Sequence, residues 1–373
     1  MKILIIMEGF FPGKKYGGPP VSVDNFCKLM KTNKCYVFTT NHEMGEVKPY
    51  STVKSNVWLN RENYFIKYVD KERYNIKGFK DAIREINPNV LYLQGLFQSC
   101  ILPCLYLAKK MNIKVLLAPR GELCTGAFKK KYKKIPYIIF LRMTKCLKNV
   151  SYQSTSKEET EAIRKHLRVS ERQIFNLTNI PSIPSRSNKR LKKEKGNAKF
   201  IFLSRIHSKK NLLFAIELLK KIEGNVVFDI YGPIEDQVYW NACLKQIEQL
   251  PDNIKVNYCG LISHEDVHGT FSKYDAFLFP TKSENYGHVI AEALSVGTPV
   301  IISDQTPWTD VNNNNAGWAL SLDSKDRFEK AIQTIVDCND DSYFKGAYQY
   351  GQKAMNLERI KSEYEDALFS IIN

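Results

Sequence analysis

Short apolar runs alternate with longer amphipathic stretches along this chain, and that alternation restricts the folds open to it. KILIIM (2–7) reads as a buried strand. A glycine- and proline-rich loop, GFFPGKKYGGPP (9–20), and a helix from about Val21 to Met30 follow. Further strands are expected at CYVFTT (35–40), NVLYLQ (89–94), KVLLAP (114–119), SYQST (151–155) and QIFNL (173–177). Helical stretches at 77–86, 98–111, 130–148 and 156–167 separate several of them, while 41–75 reads partly as loop. Strands alternating with helices imply a mostly parallel sheet covered on both faces. IPSIPSRSNKRLKKEKGN (180–197) then breaks the pattern, and its Pro, Ser and Lys content reads as a linker. A second series begins at AKFIFL (198–203) and continues through NVVFDIY (225–231), NIKVNYC (253–259), YDAFLFP (274–280) and TPVIIS (298–303). Helices are expected at 209–222, 235–250, 264–272, 286–296, 325–338, 341–355 and 357–371. The expected organisation is an N-terminal domain over 1–182, a linker over 183–197 and a second domain over 198–356. Two doubly wound Rossmann-like domains would face one another across a cleft, with ligands beyond the carboxyl ends of the strands.

The 55 Lys+Arg against 39 Asp+Glu give a formal charge of +16, which suggests an anionic partner: nucleic acid, a phosphorylated ligand or a membrane surface. Cysteines at 27, 35, 100, 104, 124, 146, 243, 259 and 338 form no CxxC pair, so free thiols in a reducing compartment are expected, and no zinc site. The apolar run at the start is too short for a signal peptide, and no window reads as a spanning helix. The expected location is cytoplasmic, where the sequons at Asn149 and Asn176 carry little meaning.

Candidate chemistry gathers after strands of the second series. In 283-SENYGHVIAEALSVGTPVI-301, Glu284 precedes a helix and Glu292 lies two turns into it. The first-turn N–H groups of that helix, with the positive end of its dipole, suit phosphate or other anionic charge. A carboxylate can accept from two vicinal hydroxyls, so a sugar or ribose is a natural partner. An N-cap region with a solvated helix glutamate fits the same residues. In 203-LSRIHSKKNLLFAI-216, Arg205 and Lys210 are two cations beside a helix start. Their mutual repulsion makes sense if a diphosphate bridges them; a solvated basic loop is the other reading. The turns at YGP (231–233) and CGLIS (259–263) fall on the same edge of the same sheet.

These segments resemble the retaining glycosyltransferases of family 4, with the GT-B fold. The resemblance rests on the Gly17-Gly18-Pro19 loop, the Arg205–Lys210 spacing, YGP, the turn at Gly260 and 279-FPTKSENYGHVIAEALSVGTPVIISD-304. 118-APRGEL-123, followed by lysines, is similar to a subgroup from bacterial polysaccharide clusters. The resemblance implies that Arg205 and Lys210 hold the diphosphate, Glu284 contacts the donor sugar and Glu292 binds the ribose hydroxyls, with Glu284, Arg205 and Lys210 as the catalytic set. It places backbone amides of Asn285, Tyr286, Gly287 and His288 on the sugar and distal phosphate. Gly17 and Gly18 would approach the phosphates where side chains would not fit, and the base would sit near Gly232 and Ile262. No cofactor or metal is implied, since Arg205 and Lys210 supply the positive charge. Many relatives carry histidines where this chain has Gln94 and Arg120, and arginine cannot serve as a base. Same-face attack, with the leaving phosphate taking the acceptor's proton, does not require one. Gln94, Arg120 and Glu122 are the acceptor-side candidates, Glu122 reading equally as a structural glutamate. The terminal helix, 357–373, is expected to cross back onto the first domain.

The expected donor is a nucleotide sugar, UDP-linked before GDP-linked. The expected acceptor is a saccharide, lipid-linked, in capsule, O-antigen or exopolysaccharide synthesis. His207 and His288 lie near this constellation, whereas His42, His166, His264 and His268 read as ordinary. KKKYKKIPYIIFLRMTKCLKN (129–149) reads either as an anionic-membrane-binding segment, giving peripheral placement on the inner face of the plasma membrane, or as a core-packing helix with a basic end. The linker cations Arg186, Lys189, Arg190, Lys192, Lys193 and Lys195 read as a solvated tether. Two other classes are open: a nucleic-acid-binding protein, disfavoured because no RNA-binding or zinc-finger motif appears, and a nucleotide-sugar epimerase, disfavoured because the four charged residues are not arranged for proton transfer at a sugar carbon.

Overall fold

The computed structural model describes residues 1–124, 128, 131–182, 184 and 193–373. Two compact units emerge, one formed by 1–180 with 357–373 and the other by 181–356.

The first unit is built on an eight-stranded sheet. Its strands are β1 (Lys2–Ile6), β2 (Lys34–Thr40), β3 (Trp58–Asn60), β4 (Phe65–Val69), β5 (Val90–Gln94), β6 (Lys114–Ala118), β7 (Val150–Ser154) and β8 (Ile174–Asn176). They lie in the order β3-β4-β2-β1-β5-β6-β7-β8, all parallel except β3 against β4. Helices α1 (Gly18–Leu29), α2 (Ile76–Ile86), α3 (Ile101–Met111), α4 (Lys131–Met143) and α5 (Lys157–Leu167) connect strands. Both faces of β1 are buried: Ile3 and Ile5 join one core, Leu4 and Ile6 the other. Such a strand must be apolar throughout, which is why KILII was legible. The chain's last helix, Leu357–Ile372, sends Ile360, Tyr364, Ala367, Leu368 and Ile371 into the core that holds Ile3 and Ile5. The spacing of those residues is one helical face.

The second unit has a six-stranded parallel sheet of β9 (Asn197–Leu203), β10 (Asn225–Tyr231), β11 (Ile254–Gly260), β12 (Ala276–Phe279), β13 (Val300–Ser303) and β14 (Gly317–Leu320). Its helices are α6 (Leu212–Leu218), α7 (Gln237–Ile247), α8 (Val267–Phe271), α9 (His288–Ser295), α10 (Lys325–Asp337) and α11 (Ser342–Ala354). The order β11-β10-β9-β12-β13-β14 reverses direction between β9 and β12. That point is where open α/β sheets bind ligands, because the loops on either side diverge and leave a crevice.

Several expectations shift. Helix α1 begins at Gly18, with Pro19 and Pro20 in its first turn, rather than near Val21; proline's fixed φ suits that place. The 41–75 stretch contains β3 and β4, and GWAL forms β14, none of which the sequence pattern revealed. Helix α4 ends at Met143, before a left-handed Lys145, well short of 148. Within the expected linker, residues 183 and 185–192, with Arg186, Lys189, Arg190 and Lys192, lie outside the described residues. Lys193 is not solvated: it is buried, and its ammonium donates to the carbonyls of Glu194 (3.0 Å), Asn197 and Val336 (3.5 Å). Val336 lies in the last turn of α10, where carbonyls lack helical partners and favour a cation.

Candidate functional site

The two loops flanking the β9/β12 switch point carry the charged residues the sequence singled out. After β9, Ser204 N donates to Tyr231 O (3.0 Å) and Ile206 N to Pro233 O (2.8 Å), fixing the loop against β10. His207 caps the following turn, its Nδ1 accepting from Lys209 N at 3.1 Å. Lys282 N donates to Lys209 O (2.9 Å) and Asn211 Nδ2 to Pro280 O (3.0 Å), tying this loop to the one after β12. Across that tie, the Lys210 ammonium meets the Glu284 carboxylate, with side chains only 13% and 14% exposed. Glu284 N donates to Gln305 O (3.0 Å), which holds the acid from behind. Arg205 is exposed, and its Nη1 reaches both oxygens of Glu235, at 2.9 and 3.2 Å.

This corrects one argument from sequence. Arg205 and Lys210 each have their own carboxylate, so mutual repulsion alone does not require a bridging diphosphate. Glu235 was missed, although it stands three residues after the Gly232 turn.

Helix α9 starts at His288, two residues later than expected, so Glu292 is its fifth residue, about one turn in rather than two. Gly287 precedes it with φ 77°, where an added Cβ would come within 2.9 Å of Ile290 Cδ1. No side chain caps the helix and its first turn holds no acidic residue. Its positive end is therefore not offset locally. Tyr286 is buried, its carbonyl accepting from Trp308 Nε1 at 2.5 Å, and its ring packs 4.8 Å from that of His288. Asn285 is half-buried in the same loop. Gly232 has φ 134° and abuts Ser204 O so closely that a Cβ would sit 1.9 Å away, while its N–H donates to Gly260 O (2.8 Å). Ile262 is half-buried just beyond Gly260.

Glu292 is buried, and that burial pushes its carboxyl up to about 7. His264 Nδ1 lies 3.9 Å from Glu292 Oε1, and Ser182 Oγ lies 3.0 Å from His264 Nε2. His268 sits beside them, and burial first, then His264, hold its ring down to about 4. The sequence reading passed over His264 and Ser182, because nothing local signals contacts between positions so far apart.

The first-unit candidates occupy the carboxyl edge of their own sheet. Arg120 has φ 56° and donates from Nε (2.8 Å) and Nη2 (2.5 Å) to Gln94 Oε1, and from Nη1 to Asn179 Oδ1 and Ser22 Oγ (3.2 Å). Its guanidinium thus binds Gln94 to α1 and to the end of the domain. The Glu122 carboxylate accepts from Leu96 N (2.5 Å) and Phe97 N (3.2 Å), with burial pushing it above the usual carboxylate range. Both placements serve local structure. Gly17 has φ 71° and precedes α1, of which Gly18 is the first residue. A Cβ at Gly17 would meet nothing within 4 Å, so backbone angle and not crowding calls for glycine there. Glu8, two residues past the end of β1, accepts from Ser99 N (3.0 Å) and Oγ (2.6 Å) and was not foreseen.

Residues 185–354 match the family model described as glycosyl transferases group 1. The second unit is a group 1 glycosyltransferase domain. The whole chain has the GT-B fold: it superposes on the Anabaena protein HepE, solved with UDP and glucose, at a TM-score of 0.76 and 13% identity, covering 99% of this chain and 100% of that one. Sucrose-phosphate synthase from Thermosynechococcus elongatus gives 0.72 at 13% identity, covering 99% and 98%. A curated relative, the GtfA subunit of a UDP-N-acetylglucosamine–peptide N-acetylglucosaminyltransferase from Streptococcus agalactiae, is 28% identical over 129 residues. That match takes in 33% of this chain and about a quarter (24%) of the relative.

Proposed function

We propose that this glycosyltransferase moves a sugar from a nucleotide-sugar donor, UDP-linked in preference to GDP-linked, to a saccharide acceptor, with retention at the anomeric carbon. The observation that carries this reading is the Lys210–Glu284 pair at the β9/β12 switch point, beside the uncapped start of α9 and the buried Glu292. Support for uracil comes from HepE and the streptococcal relative, both of which are named with UDP or a UDP-sugar.

On this reading the donor diphosphate lies against Arg205, Lys210 and the N–H groups at the start of α9. Glu284 takes the sugar hydroxyls and Glu292 the ribose diol. The bond from the anomeric carbon to the diphosphate oxygen breaks, and the departing electron pair is stabilised by the two cations and the helix end. The acceptor hydroxyl attacks the same face, and its proton passes to the leaving phosphate oxygen. No protein base and no divalent ion enter the scheme.

The acceptor is proposed to be lipid-linked, as in capsule, O-antigen or exopolysaccharide synthesis, with the protein peripheral on the inner face of the plasma membrane. Helix α4 supports this. Among its described side chains the exposed ones are Tyr132, Ile135, Pro136, Ile139, Phe140 and Met143, an apolar stripe on one face. No Asp or Glu occurs between Glu122 and Glu158, while Lys and Arg recur. Apolar side chains within a cation-rich stretch of sequence suit an anionic bilayer surface. Among the described residues no helix is long and apolar enough to cross a membrane.

The test is a thermal-shift panel of UDP, GDP and their sugar conjugates, with EDTA or magnesium, on wild type and Lys210→Ala. Stabilisation by one nucleotide family, independent of magnesium and weakened in the variant, is expected. No shift with any nucleotide overturns the donor reading.

A further inference from the structure

Among the described residues, an imidazole reaches toward the Glu292 carboxyl from outside its own helix. His264 Nδ1 stands 3.9 Å from Glu292 Oε1, within ion-pair range but too far for a hydrogen bond. Its other nitrogen, Nε2, is 3.0 Å from Ser182 Oγ. A neutral ring with its hydrogen on Nε2 donates to that hydroxyl and turns the lone pair of Nδ1 toward the carboxyl. The elements packed against α9 bring His268 on α8 and Tyr343, Lys345, Tyr348, Tyr350 and Lys353 on α11. Among the described residues, none of these places a cationic nitrogen within 4.0 Å of Glu292. Glu265 and Asp266 share the His264 turn and are exposed. His268 stays neutral at physiological pH.

A vicinal diol donates two hydrogen bonds and is best received by an ionised carboxylate, with both oxygens accepting. Among the described residues no Lys or Arg nitrogen lies within 4.0 Å of the buried Glu292, so without a ligand its protonated form is favoured. We propose that His264 is the positioning residue that ionises Glu292 when a nucleotide's ribose arrives: the carboxyl O–H breaks, Nδ1–H forms, and the resulting imidazolium, held by Ser182, pairs with the carboxylate that grips the diol. The proton stays in the protein, and no other reactant is needed. The inference rests on the donor reading above and adds a residue to it.

Titration calorimetry with UDP, run at pH 7 in buffers of low and high ionisation enthalpy, reads the net proton exchange. Wild type is expected to release little proton to buffer on binding. His264→Gln, which has no proton-accepting ring, is expected to release about half a proton or more per UDP and to bind roughly tenfold more weakly at pH 6. Ser182→Ala, which leaves the ring but frees its tautomer, is expected to fall between them and serves if His264→Gln does not fold. Proton release and a pH profile equal to wild type in a folded His264→Gln, or in Ser182→Ala should the glutamine variant not fold, overturn the proposal. Wild type that binds no nucleotide at all overturns the donor reading instead.

Discussion

At the scale of single residues, the candidate site holds two kinds of carboxylate: Glu284 and Glu235, paired with cations distant in sequence, and Glu292, whose pKa burial raises. Glu292 is costly to ionise where it lies. Its carboxyl titrates near 7 in the folded chain against an ordinary 4.5. Between those values the unfolded chain has lost the proton and the folded chain retains it, so this group removes stability as pH rises through the window. The full effect above pH 7 is on the order of 3 kcal/mol. Glu292→Gln is therefore expected to melt higher than wild type at pH 8, to match it near pH 4.5, and to lose nucleotide affinity. A melting-temperature series against pH checks it, and a variant less stable at pH 8 contradicts it. The Lys210–Glu284 pair behaves in the opposite way, since deleting either partner strands the other charge in a largely buried place. Lys210→Ala and Glu284→Ala are each expected to cost about 2 kcal/mol in denaturant titrations, and the double variant less than the sum. In activity, Lys210→Ala is expected to lower kcat by about 10²–10³-fold, as loss of a group acting on leaving-group charge does. Lys210 and Glu284 stood out because each follows a readable strand, and Glu292 because it lies inside a readable helix. Glu235, His264 and Ser182 were not, because their relevance comes from contacts that only the folded sheet creates.

At the scale of elements, legibility followed burial. Strands such as β1, β5 and β12, covered on both faces, read as largely apolar runs, and their positions came through. β3 has a half-exposed pattern at a sheet edge, and β14 is four residues long after an asparagine-rich turn, so neither produced a run long enough to notice. Helix α4 shows the reverse difficulty. Its pattern announced an amphipathic helix but not which side was amphipathic to what. In the fold, Ile138 and Leu141 face the core, and the Lys134 ammonium turns inward over the Phe97 ring at 4.4 Å. Among the described residues the outward stripe is apolar, so Ile135, Ile139, Phe140 and Met143 are side chains this helix offers to a membrane surface. Vesicles with anionic lipid are expected to sediment the protein at low salt, and neutral vesicles much less. Ile139→Ser with Phe140→Ser should cut that binding at least tenfold while leaving the melting temperature within a few degrees, because both side chains are exposed. Equal sedimentation with both vesicle types would remove the anionic surface from the proposal, and sedimentation with neither would remove the membrane.

At the scale of the whole molecule, chain order and unit order differ. The second unit, 181–356, is inserted between the body of the first and its final helix. Sequence reading placed 357–373 with the first domain only through the family resemblance, since an isolated amphipathic helix does not say which core it joins. The structure gives that helix a physical tie. Tyr364 Oη donates to Thr178 O (2.9 Å) and Gln153 Nε2 donates to Tyr364 Oη (2.8 Å), while Leu368 and Ile360 are almost wholly covered. A chain ending at Asn356 would expose the core around Ile3 and Ile5 but leave the core of the second unit intact. Calorimetry of that truncated chain is expected to show the first unit's transition lost or lowered by many degrees and the second unit's preserved. Leu368→Ala should produce a milder form of the same result, costing about 2–5 kcal/mol in the first unit alone. Nucleotide at a hundred times its dissociation constant adds about 2.7 kcal/mol to whatever holds it. In the truncated chain, UDP should therefore still raise the surviving transition. If truncation instead abolishes both transitions, the two units do not stabilise themselves independently, and the donor site depends on the first unit's core as much as on its own.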